Sequence, residues 1–454
     1  MVPANKAFFS PAMTALAALL IYGLTLAPDL TWANFGTDGG ELITAAATLG
    51  VPHPPGYPTY VLLGKLVSLI PWGIAAYRFN LFSAVAVSLA AAIVTTIARE
   101  EGHEASAIAV GLSLAFAPLV WGQAVITEVY GLNLLLISLL IWALWHKRSS
   151  TLTGFLFGLC LTTHLTSTLL FPLALSLTPR PKWGHFALSI PLGLFPLLII
   201  PLLARSGSPV IWGQPATWPG WWWLITGSLY RFNLFAADWQ TRLIPWLQTL
   251  LTQFTWVGLP LILYALFPSR PTSSPFSPRP SLFLFITALL YYLYAITYNT
   301  TDAIVLLLPA VLLLSLLLTP ALQRLGRLAL LLPLVSLLLN FEGQNLQKEQ
   351  IIRPLATQHL QAAPPNAILL LSGEGSLFTL WYFQQVEGQR PDLILLDKNL
   401  FAFDWRRQQL RDLYPDVAWP EEYDLDALAR QTKRPICYLE KLDEMTCPQT
   451  TNDD

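Results

Sequence analysis

Two carboxylates three residues apart, Asp38 and Glu41, open the stretch T-D-G-G-E-L-I-T-A-A-A-T-L-G-V-P-H-P-P-G-Y-P at 37–58, and an imidazole, His53, stands among its prolines. Groups of these types move protons or pair with phosphate. The prolines beside His53 restrict its backbone. The plain alternative for the carboxylates is a capping box. Asp38 suits an N-cap and Glu41 falls at the third helical position. The functional alternative is proton transfer by Asp38, with Glu41 orienting Asp38, binding a substrate hydroxyl or closing the cap. His53 could donate to a substrate or satisfy local carbonyls. Further along stand Arg78, Glu128, His164, Arg231 and Asp302, each beside or within an apolar run. Ionisable groups in such places are functional candidates by default. Each also has a plainer role: a snorkelling Arg78, a capping His164, Glu128 or Asp302 as structural partners.

The elements that must hold these groups are apolar. The chain is 54% hydrophobic and only 12% charged, with a mean hydropathy of +0.51. An ordinary soluble domain carries about 25% charge. Leu-rich runs recur from Phe8 to Asn340, many long enough to approach the ~20 residues that cross a bilayer core. The chain is therefore read as a mainly α, polytopic membrane protein. A net charge of −1 with no basic patch argues against nucleic acid. Of the three cysteines, Cys160 lies in an apolar run. Cys437 and Cys447 either pair in an oxidising compartment or remain free thiols. No CxxC or Cys/His cluster suggests a metal-thiolate site. Asp38, Glu41 and Asp302 could in principle hold Mg²⁺.

Spans are expected at 8–27, 79–98, 105–121, 130–145, 184–204, 243–267, 282–298, 303–319 and 328–340. The first is read as an uncleaved helix with a cytoplasmic N-terminus behind Lys6. Residues 28–78 are expected as an outside loop with helices at 39–50 and 57–71. The second is too short to span comfortably and is placed along the membrane surface, with Tyr57, Tyr60 and Trp72 at the interface. Thr162-Thr163-His164 breaks the run 152–177 into a re-entrant hairpin. A Trp-rich outside loop is expected over 205–242. This layout puts Lys6, Arg99, Lys147, Arg148, Arg180, Lys182, Arg270, Arg279, Arg324 and Arg327 inside. It leaves Lys65, Arg78, Arg205, Arg231 and Arg242 outside, in keeping with the positive-inside bias. From residue 342 the composition changes. Parallel strands at 367–372, 393–396 and 435–439, with a helix at 376–387, indicate a small extracytoplasmic α/β domain over 342–454 after a transmembrane domain over 1–341.

The motif D-G-G-E-L-I-T-A-A-A-T-L-G-V-P-H-P-P-G-Y-P is followed by Y-R-F-N-L-F-S-A at 77–84 and I-T-E-V-Y-G-L-N at 126–133. G-L-C-L-T-T-H-L-T at 158–166, Y-N-T-T-D at 298–302 and W-Y-F-Q-Q-V-E-G-Q-R-P-D-L at 381–393 complete the set. Together these resemble a polytopic family first catalogued as a domain of unknown function. It is now grouped with protein O-mannosyltransferases among the GT-C glycosyltransferases. The family pattern usually has Ser where this chain has Gly39, a departure expected to matter little.

The resemblance implies a GT-C-type transmembrane fold in a bacterial inner or plasma membrane, with its active site on the outer face. It implies a sugar donor, mannose in the O-mannosyltransferase branch, carried on a polyprenyl phosphate. The acceptor would be a hydroxyl of an exported protein or glycan. Asp38 matches the acidic residue that acts as base in the first outside loop of such enzymes, with Glu41 beside it. His53, Tyr57, Arg78, Glu128, His164, Arg231 and Asp302 are then candidates for substrate binding, and Arg78, Arg205, Arg231 or Arg242 for the phosphate. That branch works without a metal, and no cofactor is expected. The competing function is a transporter or lipid flippase using the intramembrane polar residues. A third possibility is a scaffold presenting the C-terminal domain.

Overall fold

Helices form where Leu and Ala run without charge, and they break where proline removes a donor or the chain turns left-handed. The computed structural model describes residues 9–266, 278–440, 442 and 444–447. Lys6, Arg270 and the Ser/Pro-rich stretch 267–277 lie outside the described residues. Helices α1 (Phe9–Thr25), α2 (Gly39–Thr48), α3 (Pro58–Ser68) and α4 (Ala75–Ala98) come first. They are followed by α5 (Glu104–Ala115), α6 (Pro118–Ala124), α7 (Tyr130–Trp145), α8 (Ser150–Thr163), α9 (Phe171–Leu177) and α10 (Trp183–Gly193). Next are α11 (Ile200–Leu203), α12 (Trp218–Ile225), α13 (Trp239–Thr252), α14 (Gly258–Leu266) and α15 (Pro278–Thr297). The membrane part ends with α16 (Leu308–Leu317), α17 (Thr319–Leu325) and α18 (Leu331–Gln344).

Among the described residues, four helical stretches are long and apolar enough to cross a membrane: Ala75–Ala98, Arg180–Leu203, Pro280–Thr297 and Thr319–Gln344. The span expected at 105–121 is instead a pair, α5 and α6, bent by 69°. Ala117 is extended there, as a residue before proline must be, and Pro118 starts the second helix. The span expected at 243–267 is likewise divided between α13 and α14, and Thr255 in the gap has φ +58°. The last expected span, 328–340, lies inside the longer stretch Thr319–Gln344.

Helix α8 ends at Thr163, and His164 starts a return through Leu165–Leu170 and α9. Two glycines of α8 let α10 approach closely. A Cβ on Gly154 would lie 2.2 Å from the Phe186 carbonyl oxygen, and one on Gly158 would lie 2.4 Å from that of Ile190. Both numbers rise together along the two helices, so α8 and α10 run parallel. Arg180 and Lys182 therefore return to the end where α8 begins, beside Lys147 and Arg148. Glu100 meets His146 at 2.9 Å, and Gln323 bonds the His103 N–H and the Ala98 carbonyl. Arg99, Lys147, Arg148, Arg324 and Arg327 thus gather at that same end.

Beyond α18, helix α19 (Ile352–Ala362) leads into β1 (Ile368–Ser372), α20 (Glu374–Trp381) and β2 (Ile394–Asp397). Helices α21 (Lys398–Phe401), α22 (Asp404–Leu413) and α23 (Leu425–Gln431) precede β3 (Ile436–Glu440) and β4 (Glu444–Thr446). The strand order is β2-β1-β3-β4, parallel except for β4. The Leu- and Ile-rich β1 and β2 are buried on both faces, which is why they lack polar alternation. Strand β4 has no apolar run to announce it. It is held by the Cys437–Cys447 disulfide, which resolves the two expected states of these thiols.

Candidate active site

The chain enters the site under constraint. Asn34 and Phe35 are both left-handed, at φ +52° and +68°, a conformation non-glycine residues adopt at a cost. Neighbours hold them there: the Asn34 amide donates to the Gly122 carbonyl at 3.3 Å, and Gln123 donates to the Asn34 carbonyl at 2.6 Å. Helix α2 then begins at Gly39. Asp38 makes no side-chain capping bond, and Glu41 turns away from it. The capping-box alternative is not formed, because Glu41 meets donors elsewhere.

Those donors come from two distant places. Glu41 is fully buried. It accepts the His53 backbone N–H at 3.2 Å and meets His53 Nδ1 at 2.5 Å. The Trp212 indole N–H also donates to it. Trp212 is delivered by a short bridge in which Val51 exchanges backbone bonds with Val210 (2.7 Å) and Trp212 (3.1 Å). The other edge of the imidazole, Nε2, lies 3.0 Å from the Tyr57 hydroxyl and 3.6 Å from Asp38 Oδ2. His53 is thus held by one buried carboxylate and turned toward a second. A cis Pro54–Pro55 bond and a left-handed Gly56 shape the turn that makes this possible.

Asp38 and His53 face a cavity of about 870 Å³. Its walls also carry Trp32, Thr37, Tyr57, Tyr130, His164, Tyr230, Arg231, Tyr294, Tyr298, Asp302 and Glu374. The Asp38 side chain is 31% exposed, toward this cavity. Enclosure pushes its carboxyl up to about 6, helped by Glu41 and Asp302 and opposed by His53. For His53, burial works against the charge, but Glu41 and Asp38 outweigh it and raise the imidazole to about 10. The imidazole is therefore protonated at neutral pH. Enclosure also lifts Glu374 to about 7.

The cavity gathers Asp38, His53 and Tyr57 of the 37–58 stretch with His164, Arg231 and Asp302, from four separate parts of the sequence. Glu41 stands behind His53. Arg78 and Glu128 are not on the wall. Arg78 is half-buried on the first turn of α4, and Glu128 is buried beside Val129, its carboxyl raised well above the usual range mainly by burial. Of the four arginines considered for phosphate, only Arg231 lines the cavity. Arg242 donates to the Tyr298 and Thr300 carbonyls, positioning the loop that bears Asp302. Arg205 is exposed elsewhere. Lys65 donates to the Ala47 carbonyl at the end of α2, and α3, which bears it, is 11 residues long.

Sequence reasoning missed Trp212, Tyr230 and Glu374. Nothing in the Trp-rich stretch distinguishes Trp212 from its anchoring neighbours. Glu374 reaches the cavity because α20 packs on α2. A Cβ on Gly40 would lie 2.3 Å from the Phe378 carbonyl oxygen, so only glycine permits the contact. Trp32 donates to Thr379 at 3.0 Å, and Ala76 N–H to the Tyr382 hydroxyl at 3.3 Å. Arg353 chelates Glu387 with two 2.6 Å bonds while also pairing with the buried Asp29. Gly39 is less critical, since a Cβ there would meet Leu30 and Thr127 at 3.2–3.3 Å.

A bundle of apolar helices with a polar cavity at one end and an α/β unit closing over it is the GT-C arrangement. Two crystal structures of ArnT from Cupriavidus metallidurans share the fold. The apo form matches at TM-score 0.59 and 13% identity over 94% of this chain and 92% of that one. The form bound to undecaprenyl phosphate matches at 0.57 and 12% over 86% and 90%. Residues 38–183 match the Protein O-mannosyl-transferase TMEM260 N-terminal domain, and residues 352–450 match TMEM260-associated domain 2. Together these matches span more than half of the chain, which belongs to the TMEM260 family of integral membrane proteins. Protein O-mannosyl-transferase TMEM260 of Mus musculus is 43% identical over 125 residues, 26% of this chain and 17% of that protein. Protein O-mannosyl-transferase tmem260 of Dictyostelium discoideum is 28% identical over 138 residues, 29% and 16%. The chain therefore aligns with less than a fifth of the length of either relative.

Proposed function

We propose that the chain is a glycosyltransferase that moves a sugar, mannose by analogy with its named relatives, from a polyprenyl phosphate to a hydroxyl of an exported protein, with Asp38 as general base. The observation that carries this is an uncapped Asp38 facing the cavity, its carboxyl held near 6 beside a protonated His53. A base is most useful when its pKa lies near the working pH. In this reading the acceptor oxygen attacks the anomeric carbon and Asp38 takes its proton. The bond from that carbon to the phosphate oxygen breaks, and the polyprenyl phosphate leaves. Arg231 and the His53 imidazolium offset the charge developing on the phosphate. Glu41 keeps His53 charged and oriented. The scheme calls for no divalent cation or cofactor.

Several observations support an outward-facing cavity. The basic residues Arg99, Lys147, Arg148, Arg180, Lys182, Arg324 and Arg327 gather at the opposite end of the bundle, as the positive-inside bias requires of a cytoplasmic face. The Cys437–Cys447 bond fits an oxidising compartment. That the cavity's ionisable groups sit at one end favours an enzyme over a transporter with a midplane site.

The experiment is transfer from labelled polyprenyl-phosphate-mannose to endogenous acceptors in membranes. Asp38→Asn is expected to lower the rate by about 10²–10⁴-fold, the usual contribution of a general base, with donor binding kept. Transfer by Asp38→Asn at the wild-type rate would refute the assignment.

A further inference from the structure

The C-terminal α/β unit does more than cover the site. Glu374 is the first residue of α20 and stands exposed in the cavity. Its carboxylate makes no hydrogen bond or ion pair with any described residue. Its backbone is fixed: Asp397 accepts the Gly373 N–H at 3.1 Å and also caps α21 through the N–H groups of Asn399 and Leu400. Gly373 takes φ +99°, a conformation glycine adopts readily. On the membrane side, a Cβ on Gly375 would rest 3.6 Å from Thr37 and Trp32, beside Asp38. An unpaired carboxylate is thus presented on a rigid turn next to the base. Such rigidity is what a substrate contact needs.

The charges around it indicate what it awaits. Asp38, Asp302 and Glu374 line the cavity, and Arg231 is the one Lys or Arg among the described lining residues. Protonated His53 adds a second positive charge, already shared with Glu41. A phosphate-linked donor would bring further negative charge. In the transferase reading a donor entering from the bilayer would meet Arg231, which lines the cavity with Leu165, Leu234 and Leu306 of the membrane part. Glu374 is carried by the α/β unit, on the side from which a water-borne acceptor would arrive in that reading.

We infer, building on the transferase reading, that Glu374 selects the acceptor by pairing with a cationic group next to the reacting hydroxyl, so that the preferred acceptor is a Ser/Thr peptide with a neighbouring Lys or Arg. Glu374 sets specificity and takes no part in the proton transfer at Asp38.

The test uses the purified chain in detergent at pH 8, above the value of about 7 to which Glu374 is raised, with polyprenyl-phosphate-mannose as donor and EDTA throughout. Two threonine peptides are compared, identical except for Lys or acetyl-lysine beside the Thr. The wild type is expected to favour the Lys peptide by about fivefold in kcat/KM, the upper range for a partly exposed ion pair. In Glu374→Gln, which keeps the shape and removes the charge, the preference should fall to within about twofold, the scatter expected once the pair's ~1 kcal/mol is gone. Donor KM should not change. Equal use of both peptides by the wild type, a preference that survives Glu374→Gln, or an altered donor KM would overturn the assignment. A wild type that neither transfers nor hydrolyses the donor would instead overturn the transferase reading itself.

Discussion

Replacing Glu41 by Gln tests the electrostatic core of the site. Glu41 is fully buried and takes three donors: the His53 N–H, the His53 ring and the Trp212 indole. Gln keeps the shape, removes the charge and turns an amide N–H₂ toward groups that also donate. Breaking a buried pair by removing one partner costs about 3–5 kcal/mol. The imidazole leads to a similar figure. Its rise from 6.5 to about 10 corresponds to roughly 4–5 kcal/mol at about 1.4 kcal/mol per unit. Without Glu41, the main group that offsets burial is gone, and Asp38 and Glu374 alone favour the charged imidazole. The pH dependence has a definite sign. A histidine raised in the folded state contributes its full stability below its unfolded value, and that contribution is lost as pH rises through the folded value. The wild type should therefore be more thermostable than Glu41→Gln by several degrees near pH 6.5, with the gap closing toward pH 10. Apparent Tm in detergent across that range is the assay. Equal Tm values at pH 6.5, or a gap that does not narrow toward pH 10, would refute the reasoning.

Two further outcomes follow from the site and its packing. Gly40→Ala places a methyl group against the Phe378 backbone and should destabilise the docking of α20 by about 1–3 kcal/mol; limited proteolysis between 345 and 365 should then proceed faster than in Gly343→Ala, where a Cβ meets nothing within 4 Å. Transfer activity should rise with pH through about 6, because Asp38 must lose its proton to act, and Asp38→Glu should move that limb while Asp302→Asn, which removes a charge that raises Asp38, should lower its midpoint.

Much of the site was legible because its residue types are rare in an apolar chain. Asp38, His53, His164, Arg231 and Asp302 stood out against Leu and Ala, and the cavity gathers all five. The role of Glu41 was not legible. A carboxylate at the third helical position reads equally as a cap, and only the approach of His53 and Trp212 decides between them. Arg78 shows the converse. Its motif and its place at a helix start suggested the site, but a helix has many faces and Arg78 occupies one away from the cavity. Glu374 was invisible because its signal is a contact between residues more than 300 positions apart.

Hydrophobic periodicity, proline placement and charge bias are local properties, and they sufficed to read a polytopic helical protein with a polar loop at 37–58 and an α/β unit after the membrane part. The tertiary structure decided that the loop's two carboxylates have different tasks. Glu41 is buried on His53, whereas Asp38 is left uncapped and open to the cavity. It also decided that Gly40 is the position where the α/β unit docks, because its missing Cβ lets the Phe378 backbone approach. Neither outcome follows from local preference, because each depends on which distant donor or backbone the fold brings within bonding distance.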